Sequence, residues 1–176
     1  MSEVENSSCI KLLLENQPET QPKIEEVIAD FLSGDRLNNA LAFVEFLKIN
    51  KMTPHWYATN CWAVKCKGKY VCQIRIHGCT GLYALKENSW NISKFEFYGR
   101  DFLEEFINDE KLKEVIFKNV KYCSNCWGCG PGESMTILGK SIDLVCRLEI
   151  KNPDMEELES VKKIVLANRN FLRVKF

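Results

Sequence analysis

The residues best suited to chemistry sit in one short run, Tyr122-Cys-Ser-Asn-Cys-Trp-Gly-Cys-Gly-Pro-Gly132. Two Cys-x-x-Cys units overlap at Cys126, so Cys123, Cys126 and Cys129 share a loop. This spacing lets thiolates converge on one ion while backbone amides turn toward the sulfurs. A structural zinc site takes four tetrahedral ligands and is commonly built from thiolates. Three are local here. The best fourth candidate is Cys146, separated from Cys129 by sixteen residues and brought back by a predicted hairpin. Gly128, Gly130 and Gly132 supply the permissive backbone that such a knuckle needs. Cys146 also fits the apolar face of its own strand, where it would be ordinary core.

Other chemistries compete for the same loop. Cys-x-x-Cys-x-x-Cys opens bacterial ferredoxin clusters, but that pattern continues to a fourth Cys followed by Pro. Position 133 is Glu, so the local match fails. Thioredoxin-type redox chemistry places a Cys-x-x-Cys at a helix N-terminus, which lowers the thiol pKa. Gly130-Pro131-Gly132 argues against a helix starting there. A thiol-rich turn with no ligand is the plain alternative. Zinc is preferred on ligand type and spacing.

The remaining candidates are weaker. His77-Gly-Cys79 places a histidine and a thiol two apart, on one face of a strand. No third group that would orient such a dyad is evident, so a histidine at a strand end is the better reading. His55 precedes Trp56-Tyr57 and reads as a packed strand entry. Carboxylates concentrate in helix first turns, and no pair stands out as general acid and base. Gly128-x-Gly130-x-Gly132 lacks the Lys-Ser/Thr and the helix start of a phosphate loop. Residues 55–100 carry seven basic and two acidic side chains with nine aromatics. A basic aromatic sheet can bind single-stranded nucleic acid. Here Trp62 and Tyr70 share the aliphatic face, which is core, and most of the cations are lysines. A small-molecule pocket between sheet and helices, lined by Trp56, Trp62 and Trp90, fits the composition better.

These residues need a scaffold, and hydrophobic periodicity supplies one. Ile24, Val27, Ile28, Phe31 and Leu32 form one helical stripe after Pro22, with Gly34 as its stop. Asp35 can cap a second helix carrying Leu37, Ala40, Leu41, Val44 and Leu47. The period then changes to two. Trp62, Val64 and Cys66, then Tyr70, Cys72, Ile74 and Ile76, alternate around Lys67-Gly68-Lys69, which predicts a β-hairpin. Cys66 and Cys72 fall on its apolar face as small hydrophobes. Trp90, Ile92, Phe95 and Phe97 suggest another strand, with a phase break at Ser93-Lys94. Asp101 and Glu104 have capping-box spacing before Phe102, Leu103, Phe106 and Ile107. A further helical run carries Leu112, Val115, Ile116 and Val120. After the cysteine loop, Met135–Leu138 reads as a short strand. Ile142, Leu144, Cys146, Leu148 and Ile150 then alternate strictly. Asn152-Pro153 is expected to open the last helix as cap and first position.

Composition narrows the class. With 176 residues the chain is one domain in size and can bury a sizeable core without disulfides. Lys+Arg and Asp+Glu both number 24, which excludes a strongly basic nucleic-acid protein. No apolar run approaches membrane-span length, and Met1–Glu5 has no apolar signal core. Nine cysteines, an odd number without an export signal, point to a reducing compartment, hence a cytoplasmic protein.

The string from Trp56 to Arg75, then Ser89-Trp90, then Tyr122-Cys-x-x-Cys-x-x-Cys-x-Pro-Gly and Thr136-Ile-Leu-Gly-Lys140, resembles small uncharacterised bacterial proteins. The resemblance covers about the last two-thirds of the chain. It implies a bacterial cytosolic protein and marks the cysteine loop as a site. It supplies no reaction, ligand or partner.

The expectation is therefore a flexible arm over 1–21 and a single α+β domain over 22–176. A helical hairpin leads, and an antiparallel sheet of four to six strands follows with helices on one face. The expected function is a non-catalytic intracellular domain whose cysteines Cys123, Cys126, Cys129 and Cys146 bind zinc. The alternatives are a small-molecule sensor with an aromatic pocket and a thiol-redox protein. A small molecule is the partner expected, not nucleic acid or membrane.

Overall fold

Apolar residues at helical spacing build one layer of the molecule, and alternating residues build the other. The computed structural model describes residues 14–77, 86–95, 106–122 and 133–174; at 122, 133–137, 141–147 and 171–174 it describes the backbone. A short helix, α1 (14–20), is followed by α2 (Ile24–Phe31) and α3 (Gly34–Ile49). Ile24, Val27, Ile28 and Phe31 of α2 and Ala40, Phe43, Val44 and Leu47 of α3 are buried, and the two helices pack together. Gly34, read from the sequence as a stop, begins α3 with φ +59°. Leu32 ends α2, and two linker residues suffice because glycine takes the left-handed turn.

The strands are β1 (Thr53–Ala58), β2 (Cys61–Cys66), β3 (Lys69–Ile76), β4 (Trp90–Ser93), β5 (Val120–Tyr122), β6 (Glu133–Ile137) and β7 (Lys140–Lys151). All pair antiparallel in the order β1-β2-β3-β4-β7-β5, with β6 also on β7. Helix α4 (Glu110–Asn119) precedes β5, and α5 (Met155–Val174) closes the described chain. The fold is α+β, with its leading helices before an antiparallel sheet. One sheet face carries Trp62, Val64, Cys72, Ile74, Ile76, Trp90, Ile92, Leu148 and Ile150. These join the apolar faces of the helices in a single buried cluster.

The β2–β3 hairpin turns at Lys67 and Gly68, φ +50° and +77°, the conformation of a two-residue primed turn. One register detail departs from simple alternation. Val64 pairs with Cys72 but Lys65 pairs with Tyr70, so Val71 is an extra residue in β3. The bulge moves Tyr70 out of phase with Cys72 and leaves it half-buried opposite Lys65. Asn168 of α5 donates from Nδ2 to the Val71 carbonyl at 2.8 Å, satisfying a group that the bulge withdraws from the ladder.

The expected break after Ser93 is present: β4 ends there and Lys94 has φ +48°. Two other expectations are corrected. Val120 is not helical but opens β5. The last helix begins at Met155, capped by Asp154, whose Oδ1 accepts from Glu157 N at 2.8 Å. Asn152 instead joins β7 to β4: its N–H donates to the Trp90 carbonyl, and its Oδ1 accepts from Trp90 N at 2.8 Å. The Asp101–Glu104 cap and Phe97 lie outside the described residues.

Residues 1–13 of the expected arm also lie outside the described residues, but 14–20 are docked. Gln17 is buried and its amide pairs with Asn60: Asn60 N donates to Gln17 Oε1 at 2.8 Å, and Gln17 Nε2 donates to Asn60 Oδ1. Asn60, at φ +51° between β1 and β2, also donates to the His77 carbonyl.

Candidate functional site

The cysteine loop is framed by three strands. β5 ends at Tyr122, and β6 begins at Glu133. Tyr122 pairs with Val145, and Glu133 also pairs with Val145. One residue can face two partners only across its two edges, so β5 and β6 flank β7 at this point. Neighbouring strands lie about 4.8 Å apart, which puts Tyr122 and Glu133 roughly 10 Å apart. Residues 123–132 connect these two positions, with Cys146 adjacent to the residue between them.

Cys146 occupies a distinctive backbone position. Lys121 pairs with Arg147 and Tyr122 with Val145, so Cys146 is an extra residue with no opposite number on β5. A second irregularity lies between the pairs Glu133–Val145 and Met135–Ile142. The strict alternation read across 142–150 is therefore interrupted on both sides of Val145. The bulge resets the phase of the strand at Cys146. Cys123, Cys126 and Cys129 lie outside the described residues. Among the described residues, no group of three or more His, Cys, Asp or Glu side chains is placed to hold a metal ion.

The scattered cysteines behave as core. Cys61, Cys66 and Cys72 are buried and form no disulfide. Burial pushes the Cys72 thiol well above the ordinary range, the opposite of what a nucleophilic thiol requires. His77 packs its ring against Phe31, centroids 6.0 Å apart, and Cys79 lies outside the described residues.

The three tryptophans divide. Trp56 and Trp62 face each other across β1 and β2 and line a groove of about 390 Å³ with Pro22, Ile24, Pro54 and His55. Trp62 Nε1 donates to the Pro22 carbonyl at 3.3 Å; Trp56 Nε1 is buried with no partner among the described residues. Lys23, Glu25 and Lys48 form the charged side of this groove, with Glu25 and Lys48 ion-paired. Burial is the largest single influence on Glu25 and works against its ionisation, but the Lys48 hydrogen bond, a backbone amide and the charges of Lys48 and Lys23 together outweigh it and hold the carboxyl below the usual range. Trp90 is elsewhere: it is fully buried against Phe43, ring centroids 6.1 Å apart.

One constellation escaped the sequence reading. The sheet face opposite the helices carries Gln73 and Arg75 on β3, Asn91 and Ser93 on β4, and Glu149 on β7. They lie in register as Gln73–Ser93–Glu149 and Arg75–Asn91. They alternate with the apolar residues of the same strands, yet all five are between 0% and 7% exposed. Arg75 donates to Gln73 Oε1 at 2.8 Å, and Asn91 Nδ2 donates to Glu149 Oε1 at 2.7 Å. The only signal in the sequence was that β3 and β4 put amides and a hydroxyl, not lysines, on this face.

Compared with known protein families, curated proteins and solved structures, the chain matches none. The site therefore rests on the chain's own residues. No helix among the described residues is long and apolar enough to cross a membrane.

Proposed function

We propose that the protein is a non-catalytic intracellular bacterial domain in which Cys123, Cys126, Cys129 and Cys146 hold one structural zinc ion. The observation that carries this reading is the double pairing of Val145 with Tyr122 and Glu133. It brings both ends of a three-cysteine loop to the strand residue next to a fourth cysteine. Four thiolates with no open position complete a closed tetrahedral site, which is structural and not catalytic. The ion then ties α4 and β5 to the β6–β7 hairpin, and its binding energy adds to folding energy. The buried thiols Cys61, Cys66 and Cys72, which carry no disulfide, suit a reducing compartment. The test is elemental analysis of protein purified without chelator, followed by melting with and without a strong chelator. One zinc per chain and a lower melting temperature after chelation are expected. A chain that is metal-free when purified and fails to take up zinc would overturn the proposal.

A second reading is favoured by the groove that Trp56 and Trp62 line. There the domain is a small-molecule sensor with an aromatic pocket, and the zinc is scaffolding. The groove supplies two indoles and a charged rim. Quenching of tryptophan fluorescence by a ligand, lost in Trp56→Phe, would support it.

A further inference from the structure

The tryptophan groove sets an aromatic wall beside an excess of positive charge. Pro22, Ile24, Pro54 and the two indoles give it apolar surface, and Lys23, Glu25 and Lys48 give it charge. Trp62 is fully buried and Trp56 half-buried, so Trp56 is the indole that a ligand can reach. The volume of about 390 Å³ falls within the roughly 300–1,000 Å³ usual for small-molecule pockets. Among the described residues, Glu25 is the only carboxylate of the lining, and it is ion-paired with Lys48. Lys23, just before α2, is exposed and makes no ion pair among the described residues. Its charge is nevertheless felt at the Glu25 carboxyl, which places it at the groove. Glu26 accepts from the Lys23 backbone N–H at 3.3 Å and is not part of the lining. Two ammonium groups therefore share one carboxylate at this rim.

We propose that the groove binds a small aromatic anion, an aryl ring carrying a carboxylate, with the ring against Trp56 and the carboxylate at Lys23. The inference rests on the aromatic-pocket reading above and is independent of the zinc. Apolar burial and ring stacking favour any planar aromatic ligand, whatever its charge. The charges at the rim select among such ligands. A cation meets Lys23 and Lys48, and it reaches Glu25 only by displacing Lys48 from its ion pair. A neutral ligand leaves the Lys23 ammonium to solvent. An anion pairs with Lys23 and keeps the Glu25–Lys48 contact intact. Lys23 is exposed, so this pairing is a modest contribution that sets preference more than affinity.

The experiment is a calorimetric titration of the full-length protein with three probes that share a ring and differ in charge. They are phenylacetate, phenylacetamide and phenethylammonium, each up to about 10 mM, well above a millimolar dissociation constant. The Trp56 indole N–H resonance is followed in parallel by nitrogen-15 NMR. Phenylacetate is expected to bind saturably, to shift that resonance, and to bind about three- to fivefold more tightly than phenylacetamide. The margin should shrink as salt is raised. Lys23→Gln is expected to bring phenylacetate down to the affinity of phenylacetamide and to leave phenylacetamide binding unchanged. If phenylacetamide or phenethylammonium binds as tightly as phenylacetate, the anion is overturned and the aromatic pocket stands. A preference for phenylacetate that survives Lys23→Gln has the same consequence. Saturable binding by none of the three, or binding that leaves the Trp56 resonance unmoved, would overturn the aromatic pocket together with the anion.

Discussion

Tyr122 and Glu133 stand opposite the same residue, Val145, on the two edges of β7. The ten residues between them therefore start and finish beside Cys146. This relationship separates Cys146 from the other described cysteines. Cys146→Ser is expected to weaken zinc binding as strongly as Cys126→Ser. Cys72→Ser should leave the metal in place and cost about 1–3 kcal/mol, because it buries a hydroxyl in the apolar core. Metal content and chemical denaturation of the three variants separate the two kinds of loss.

Thiol reactivity should divide along the same line. Cys72 is fully buried, and burial raises its pKa far from neutrality. Cys61 and Cys66 are buried with it. Under native conditions at neutral pH these three thiols should resist an aromatic disulfide reagent and react only on unfolding. Mass spectrometry of labelled peptides reads this directly; rapid native labelling at Cys72 would contradict the packing described here.

Alternation and helical stripes made much of this architecture readable in the sequence. The turn at Lys67-Gly68, the helix stripes of α2 and α3, and the break after Ser93 follow from local chemistry, and all are present. What stayed hidden depends on contacts far apart in the chain. The Val71 bulge shifts Tyr70 without any sequence mark, because its carbonyl is taken up by Asn168, 97 residues away. The irregularities flanking Val145 likewise undo an alternation that looked perfect from 142 to 150. Asn152 looked like a cap because asparagine caps helices, yet cross-strand bonding to Trp90 claimed its amide. The buried polar face was invisible for a related reason. Polar residues at every second position predict solvent, and only tertiary burial reveals otherwise.

The Gln17–Asn60 amide pair helps to dock α1, beside the packing of Leu14 on the core. Gln17→Ala would strip Asn60 N of its acceptor in a buried position and should cost about 1–3 kcal/mol. Residues 14–20 should then exchange amide hydrogens faster, while the β3–β4 ladder keeps its protection. Unchanged exchange in 14–20 would contradict this anchoring role.

Asp109 links α4 to α5 and sets a pH dependence. Its carboxylate accepts from Lys163 Nζ at 2.6 Å and from Leu112 N at 3.0 Å as the cap of α4. The Lys163 hydrogen bond and then the Leu112 amide hold its carboxyl below the usual range. A lowered carboxyl pKa means the unfolded chain binds the proton more tightly. The stabilisation is therefore complete above the ordinary aspartate value of about 3.9 and is lost as pH falls through the lower folded value. Asp109→Asn keeps a capping oxygen and should flatten this acid limb of the stability curve. Asp109→Ala should in addition cost about 1 kcal/mol at neutral pH through loss of the cap. Denaturation midpoints at neutral and acid pH distinguish the two variants.

The central claim is a single zinc bound by four thiolates, three from the loop and one from β7. X-ray absorption at the zinc edge tests it most directly. The full-length protein should show a first shell of four sulfurs at about 2.3 Å. In Cys146→Ser that shell should drop to three sulfurs with a lighter atom in the fourth place, or the zinc should be lost. A wild-type shell containing nitrogen or oxygen, or a four-sulfur shell that persists in Cys146→Ser, would contradict the account.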